Sequence, residues 1–240
     1  MACLISGIGF IRKRFKIFNF QFLIFNLLLT GFEIEIEVKV SFMSNSTQAS
    51  RGIWDWDVVK LAVGLPMLLY AAFFFFIGFN EEGTRAAIAW SAKISFTLFC
   101  LAFAASAAHL RIRNSLSFWW LMNRKYLGIA FAVNHLIHLG FLILLQQVFH
   151  PVFDVAASTS LMAGGLAYLF VVLMLLTSFE TFSKQLSQKN WKLLHTIGGY
   201  WIWVIFLSTY FKKVMNVGVA FLPFVLILIL VLLLRIFKKK

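Results

Sequence analysis

The stretch "GIAFAVNHLIHLGFLILL", residues 128–145, contains no charged side chain and is apolar almost throughout. Its length approaches the ~20 apolar residues that a helix needs to cross the hydrocarbon core of a bilayer. His135 and His138 interrupt the apolar run, and their spacing of three residues places both imidazoles on one face of a helix. The stretch therefore predicts a membrane-spanning helix with two polar side chains on one side.

The composition of the whole chain indicates the same environment. Of the 240 residues, 61% are hydrophobic and 13% are charged. A soluble domain has ~45–50% apolar and ~25% charged residues. The chain is therefore predicted to be an integral membrane protein, with one membrane domain and short loops.

Six segments of the chain are long and apolar enough to span a membrane, and short polar links join them. This organisation predicts an all-α membrane protein in which residues 54–240 form a six-transmembrane-helix bundle. The predicted spans are Val58–Phe79, Ala86–His109, Tyr126–Phe149, Ala156–Phe179, Lys192–Phe211 and Val217–Ile236.

Most positive charges lie on one side of these spans. The net charge is +13, and the links after the second and fourth spans and the tail after the sixth are rich in Lys and Arg. The opposite side has Arg85, Lys212 and Lys213. Because positive residues mark cytoplasmic loops, we expect both ends of the six-span core to be cytoplasmic. The basic residues are expected to contact anionic lipid, and nucleic-acid binding, which needs a soluble basic face, is not expected.

Residues 1–53 precede this core. The segment "RKRFKIFNFQFLIFNLLLTGF" has the basic flank and apolar stretch of a signal anchor, but no small-residue cleavage site follows. The next segment, "FEIEIEVKVSF", alternates as a β-strand does. A span over residues 17–31 would place the basic flank outside, against the charge bias. Two interpretations stay open: a short N-terminal extension on the cytoplasmic membrane surface, or a true start at Met43.

Few ionisable side chains lie inside the predicted spans, and most of them are histidines. Ionisable residues in membrane spans are costly, which makes them candidates for function. An imidazole there either binds a metal-containing cofactor or hydrogen-bonds to a neighbouring helix, and spacing alone leaves both open. The set is Lys93, His109, His135, His138 and His195.

The motifs of other function classes are missing. The chain contains no Walker loop, no dinucleotide-binding glycine fingerprint and no His-Glu-x-x-His motif. Cys3 and Cys100 form no metal-binding pattern. Asp and Glu lie outside the predicted spans or at their ends, whereas a proton-coupled transporter usually keeps a carboxylate at mid-membrane. A transporter or channel is therefore the least favoured function.

The segment "RKYLGIAFAVNHLIHLGFL" contains a basic pair, a Leu-Gly and a histidine ten residues after the glycine, His138. In these features it resembles the third span of the ferric-reductase-like transmembrane domain family, which includes the haem-carrying membrane subunit of bacterial methionine-sulfoxide reductase. "WKLLHTIGGYWIWVIF" resembles the fifth span, with Trp191, Leu194 and His195 matching its opening. The segments "AWSAKISFTLFCLAFAASAAHLRIR" and "GGLAYLFVVLMLLTSF" resemble the second and fourth spans.

The resemblance implies a six-helix bundle in the bacterial inner membrane that binds haem b and transfers single electrons from a cytoplasmic donor. It implies His138 and His195 as ligands of the haem iron. No flavin or nucleotide domain is expected in the chain. A reductase activity would therefore need a separate electron-donor protein or a diffusible quinol.

The chain departs from the family at one position. The family has a second histidine thirteen residues after the one in the fifth span, and this chain has Ser208 there. At ~1.5 Å of helix rise per residue, His195 lies ~5 Å and His138 ~18 Å from the cytoplasmic end of its span, so one haem cannot readily take both. His135 and His109 are therefore alternative ligands. A haem-free scaffold or partner subunit of the same fold is the alternative function.

Overall fold

The computed structural model describes residues 54–149 and 158–237. Regular structure in these ranges is entirely helical. The helices are α1 Trp56–Phe76, α2 Glu81–Arg111, α3 Ser115–Met122, α4 Arg124–Leu144, α5 Ser158–Leu176, α6 Glu180–Ser183, α7 Gln188–Asn216 and α8 Leu222–Ile236. The predicted N-terminal extension, with its strand-like segment and the alternative start Met43, lies outside the described residues.

The apolar helices embed the protein in a membrane. A π-helical turn, Leu145–Phe149, continues α4, and a 3₁₀ turn, Val219–Phe221, leads into α8. Within the described ranges, four helices are long and apolar enough to cross a bilayer when these turns are included: Trp56–Phe76, Glu81–Arg111, Arg124–Phe149 and Val219–Ile236. The apolar part of α5, Ala163–Leu176, is shorter. Helix α7 is long enough, but it carries lysines near both ends, and its centre is rich in glycine and aromatic residues. The six spans expected from the sequence therefore have matching helices, and the number that cross the bilayer stays a prediction.

The bundle is organised around the pair α2 and α4, which share the most extensive helix contact. Helix α1 packs on α4, α8 packs on α2 and α7, and α5 packs on α7. Aromatic rings fill the space between α2, α7 and α8. The ring centroid of Phe96 lies 5.7 Å from that of Phe206, 4.9 Å from Tyr210 and 5.2 Å from Phe224. Edge-to-face contacts of this kind add to the stabilisation from burial.

Helices α5 and α7 approach closely at Gly198. A Cβ at this position would lie 2.6 Å from Met174 Sδ and 3.3 Å from Phe170 Cβ. A larger residue here would displace the Met174 side chain and press on Phe170, so the glycine favours this close approach, as small residues do at many membrane helix contacts.

A polar contact joins α1 to α4 inside the apolar part of the bundle. Pro66 lies within α1 and has no N–H, so the carbonyl of Ala62, four residues earlier, has no donor within its own helix. Asn134, on α4, donates from Nδ2 to this carbonyl at 2.9 Å. Its Oδ1 lies 3.5 Å from the hydroxyl of Tyr70. Asn134 is fully buried, and it thus supplies the hydrogen bond that the proline removes.

We expect Asn134→Leu to lower the free energy of unfolding by about 1 kcal/mol, because the Ala62 carbonyl would lose its donor in an apolar environment. The Pro66→Ala background restores an N–H four residues after Ala62, so the same substitution should cost less there. The measurement is a double-mutant cycle of unfolding in detergent. Equal costs in the two backgrounds would contradict this role of Asn134.

Candidate functional site

Two cavities lie among the helices, and different histidines line them. The larger, here called the basic-end cavity, has a volume of about 850 Å³ and is lined in part by Arg124, Gly128, His195 and Arg235. The smaller, here called the histidine pocket, has a volume of about 200 Å³. Its lining includes Ala92 of α2, together with residues of α4, α5 and α7.

His195 is held on the wall of the basic-end cavity. Its ring stacks on Trp191, with the centroids 4.1 Å apart, and its Nε2 lies 3.0 Å from Thr177 Oγ1. The Thr177 hydroxyl donates to the carbonyl of Leu173 at 2.7 Å, which uses its single proton. The arrangement that satisfies both contacts has the proton of the imidazole on Nε2. Nδ1 is then the nitrogen with a lone pair for a ligand, and it has no partner among the described residues.

Two guanidinium groups border the same cavity. Arg124 donates from Nε to the carbonyl of Ala102 at 3.2 Å and from Nη1 to Ser106 Oγ at 3.0 Å. Arg235 donates from Nη1 to the carbonyl of Phe103 at 3.3 Å. Within the described part of the chain, neither guanidinium forms a salt bridge with a carboxylate. Two positive charges without anionic partners make this cavity complementary to a ligand that carries carboxylates.

The remaining wall of the basic-end cavity is mostly apolar. Phe99 and Phe131 line it, and a Cβ on Gly128 would meet no atom within 4 Å. Glu180 also lines the cavity and is exposed. The hydrogen bond and positive charge of Lys184, whose Nζ lies 3.1 Å from the carboxylate, lower the pKa of Glu180. Glu180 is thus ionised and paired outside the apolar interior.

His135 and His138 face the histidine pocket together. Their ring centroids are 5.6 Å apart and their planes differ by 20°. His138 Nδ1 lies 2.9 Å from Ser91 Oγ, and that hydroxyl also lies 3.0 Å from the carbonyl of Ile88. The arrangement that satisfies both contacts places the proton of the imidazole on Nδ1 and leaves Nε2 as an acceptor. His135 stacks on Tyr168, with the centroids 4.8 Å apart, and its buried Nδ1 has no hydrogen-bond partner among the described residues.

The histidines predicted from the sequence as candidate cofactor ligands do not lie at one site in the structure. His195 lines the basic-end cavity, whereas His135 and His138 line the histidine pocket. His109 lines neither of them: its Nδ1 lies 3.0 Å from Ser117 Oγ, and its ring packs on Phe118.

Ser208 is the position on α7 where the ferric-reductase-like family has its second histidine, and it lies away from the histidine pocket. Ser208 is exposed and does not line the histidine pocket, whereas its neighbours Thr209 and Tyr210 do. A histidine at Ser208 would therefore not face His138 in this helix register.

The two cavities differ in their fit to haem. The larger volume falls within the ~300–1,000 Å³ range of cofactor and drug-sized ligand sites, and the smaller falls below it. The basic-end cavity offers one imidazole, an apolar wall and two guanidiniums for carboxylates, so these residues would suit one tetrapyrrole held through His195. The histidine pocket is too small for a tetrapyrrole. Among the described residues, no group of three or more His, Cys, Asp or Glu side chains is arranged to hold a metal ion.

Several site residues were not predicted from the sequence. Ser91 and Thr177 orient the two imidazoles through hydroxyl contacts, and Asn134 joins α1 to α4. All three are uncharged polar residues inside predicted spans. An uncharged polar residue within an apolar span is itself a signal for such contacts, but the sequence does not indicate its partner on another part of the bundle.

Compared with known proteins, the chain matches no family model and no curated protein sequence. The assignment of a function therefore rests on the residues and the geometry of the two cavities.

Proposed function

We propose that the protein is an integral membrane haem b protein for transmembrane electron transfer, similar to the membrane subunit of a reductase system. The observation that carries this proposal is the basic-end cavity of about 850 Å³, in which the imidazole of His195 and the guanidiniums of Arg124 and Arg235 border an apolar space. A haem has the same pattern of chemistry: an iron that binds imidazole, an apolar macrocycle and two carboxylates.

Each group on the cavity wall has a defined part in this proposal. His195 offers Nδ1 to the iron, and the Thr177 hydroxyl holds the opposite ring nitrogen and so orients the imidazole. Arg124 and Arg235 bind the propionate carboxylates. Phe99 and Phe131 exclude water from the macrocycle. The bound haem would supply one-electron redox chemistry, and these residues would determine its orientation and surroundings.

The proposal includes the six-span topology of the ferric-reductase-like fold. Helices α5 and α7 would cross the bilayer with the four more apolar helices, since α7 packs along α8 and α5 packs along α7. The end that carries Arg111, Arg124, Lys192 and Arg235 would face the cytoplasm of a bacterial inner membrane. A separate protein or a quinol would then supply electrons.

The alternative function is a haem-free scaffold or partner subunit of the same fold. The observation that favours it is that His195 is the only histidine among the described residues that lines the basic-end cavity. Family members are expected to bind haem between two histidines, so the loss of one is compatible with loss of the cofactor. In that case the contact between His195 and Thr177 serves to pack α5 on α7.

The first test is the haem content of the purified full-length protein from haem-replete cells. We expect a Soret band that His195→Ala removes or weakens by about tenfold, because a metal ligand is lost. Gly128→Val should also lower the haem content, since its side chain would occupy the cavity. His109→Ala and Gly64→Val are matched controls outside the cavity and should leave the band unchanged. Wild-type protein without a Soret band would reject the proposal in favour of the scaffold.

The second test concerns the orientation of His195. Thr177→Val keeps the shape of the side chain and removes the oxygen that contacts Nε2. We expect about a 10-fold to 100-fold weaker haem affinity, which is the usual cost of losing a hydrogen bond to a metal ligand. Haem titration into the apoprotein measures it, with Thr177→Ser as the variant that should retain the affinity. If the Val and Ser variants bind haem equally, Thr177 has no role in positioning the imidazole.

A further inference from the structure

Two lysines at the histidine pocket have no carboxylate partner among the described residues. Lys213 lines the pocket, and Lys93, which lies within the apolar helix α2, is close enough to repel it. The salt bridges formed in the described part of the chain involve other cations. The two ammonium groups pack over rings instead: Nζ of Lys93 lies 4.6 Å from the centroid of Trp90, and Nζ of Lys213 lies 5.2 Å from that of Phe221. Because charges inside an apolar bundle are costly, these two indicate a site for an anion.

Hydroxyl groups lie at the same end of the pocket. Thr209 and Tyr210, within one helical turn of Lys213, both line it. Tyr210 is only 2% exposed, and its hydroxyl has no hydrogen-bond partner among the described residues. Buried polar groups are nearly always paired, so this hydroxyl is available to a ligand. Hydroxyl and ammonium groups both donate to oxygen anions, and together they form a set of donors for one ligand.

The pocket is long and narrow. The residues of α7 along it run from Ile202 to Lys213, and these eleven residues of helix rise by ~16 Å. A volume of about 200 Å³ spread over this length leaves a width that suits a chain rather than a ring system.

The two ends of the pocket differ in polarity. Lys213 and Thr209 lie at one end, whereas Ile202 and Ile205 lie at the other. Lys213 is close to Asn216, the last residue of α7, and Ile202 is buried near the middle of the helix. A ligand that matches both ends therefore has a charged head near the helix end and an apolar chain that extends into the bundle.

We propose that the histidine pocket binds a fatty acid, with its carboxylate held by Lys213 and Tyr210 and its chain lying along Ile205 and Ile202. Thr209 is exposed on the outer surface of the bundle, which faces lipid in a membrane protein. The ligand would therefore enter the pocket from the bilayer, in which fatty acids dissolve.

A carboxyl group suits this pocket better than the phosphodiester of a membrane lipid. Nε2 of His138 is an acceptor, because Nδ1 donates to Ser91, whose own proton goes to the carbonyl of Ile88. A carboxyl group that carries a proton donates to such an acceptor, and an ionised one accepts from the ammonium of Lys213. A phosphodiester has no proton to donate, and its lipid carries two chains, for which the pocket is too narrow. The site is separate from the basic-end cavity, so its occupancy does not require haem.

The test measures binding of radiolabelled laurate to the full-length protein in nanodiscs made from zwitterionic lipid. Equilibrium dialysis gives bound laurate above the partition into empty nanodiscs. We expect saturable binding at a single site, with displacement by unlabelled laurate. Acetate, which lacks the chain, and dodecanol, which lacks the carboxylate, should displace it poorly. Displacement by either of them as effective as that by laurate would contradict a site for a fatty acid.

Substitutions of polar side chains test the head of the site. Lys213→Gln should weaken laurate binding by about tenfold or more, because the carboxylate loses its charged partner. Lys212→Gln is the matched control, since Lys212 is the adjacent lysine and does not line the pocket. Tyr210→Phe removes only a hydroxyl and should weaken binding by about threefold to tenfold.

A pair of glycine substitutions tests the pocket itself. Gly164 lines the pocket and a Cβ there would meet no atom within 4 Å, so Gly164→Val should reduce binding by occupying the space. Gly165→Val, one residue further and outside the pocket, should bind as the wild type does. Binding that does not saturate, or that is equal in the pocket and control variants, overturns the site. Haem content measured on the same samples shows separately whether the proposed function holds.

Discussion

In the apolar interior of a bilayer, every polar group must find its partner within the protein, and the helix pairing in this bundle follows that constraint. The contact between Asn134 and the carbonyl of Ala62 is its clearest expression. Pro66 leaves the carbonyl of Ala62 without a donor in α1, and Nδ2 of Asn134 on α4 donates to that carbonyl at 2.9 Å. Trp191 and Trp203 follow the same rule, since each indole N–H donates to a main-chain carbonyl outside its own helix.

The same constraint gives weight to the places where polar groups lack partners. Several of these places lie on the two cavities, which are at different levels of the bundle. At the basic-end cavity, two guanidiniums lie on the wall without a salt bridge to a carboxylate among the described residues. The imidazole of His195 has one ring nitrogen available to bind a ligand. At the histidine pocket, an imidazole and a phenol are buried without partners. A haem in the basic-end cavity would supply the partners that the protein atoms there lack. Phe131 lines the first cavity and stacks on His135 of the second, with the centroids 5.4 Å apart.

The positions of the helices could be predicted from the sequence, because they depend on the length of each apolar run along the chain. The predicted span Val58–Phe79 corresponds to the helix Trp56–Phe76, and the link after the second span contains the additional short helix Ser115–Met122. The side chains that face one another across the bundle could not be predicted, because they depend on the rotation of each helix about its own axis. A spacing of thirteen residues selected Ser208, whereas the register of α7 turns Thr209 and Tyr210 toward His138. The separation of His195 from His138 was expected from helix rise. The hydroxyls that orient them were not, because Ser91 lies on α2 and Thr177 lies just after the end of α5.

The proposed function requires one haem in the basic-end cavity, with His195 as the only imidazole from the described residues. Electron paramagnetic resonance of the oxidised full-length protein tests this most directly, because it reports the number of strong axial ligands on ferric iron. We expect a high-spin ferric signal, since no second imidazole among the described residues lines this cavity. A low-spin signal of the bis-imidazole type, or a protein that carries no haem iron, would contradict it.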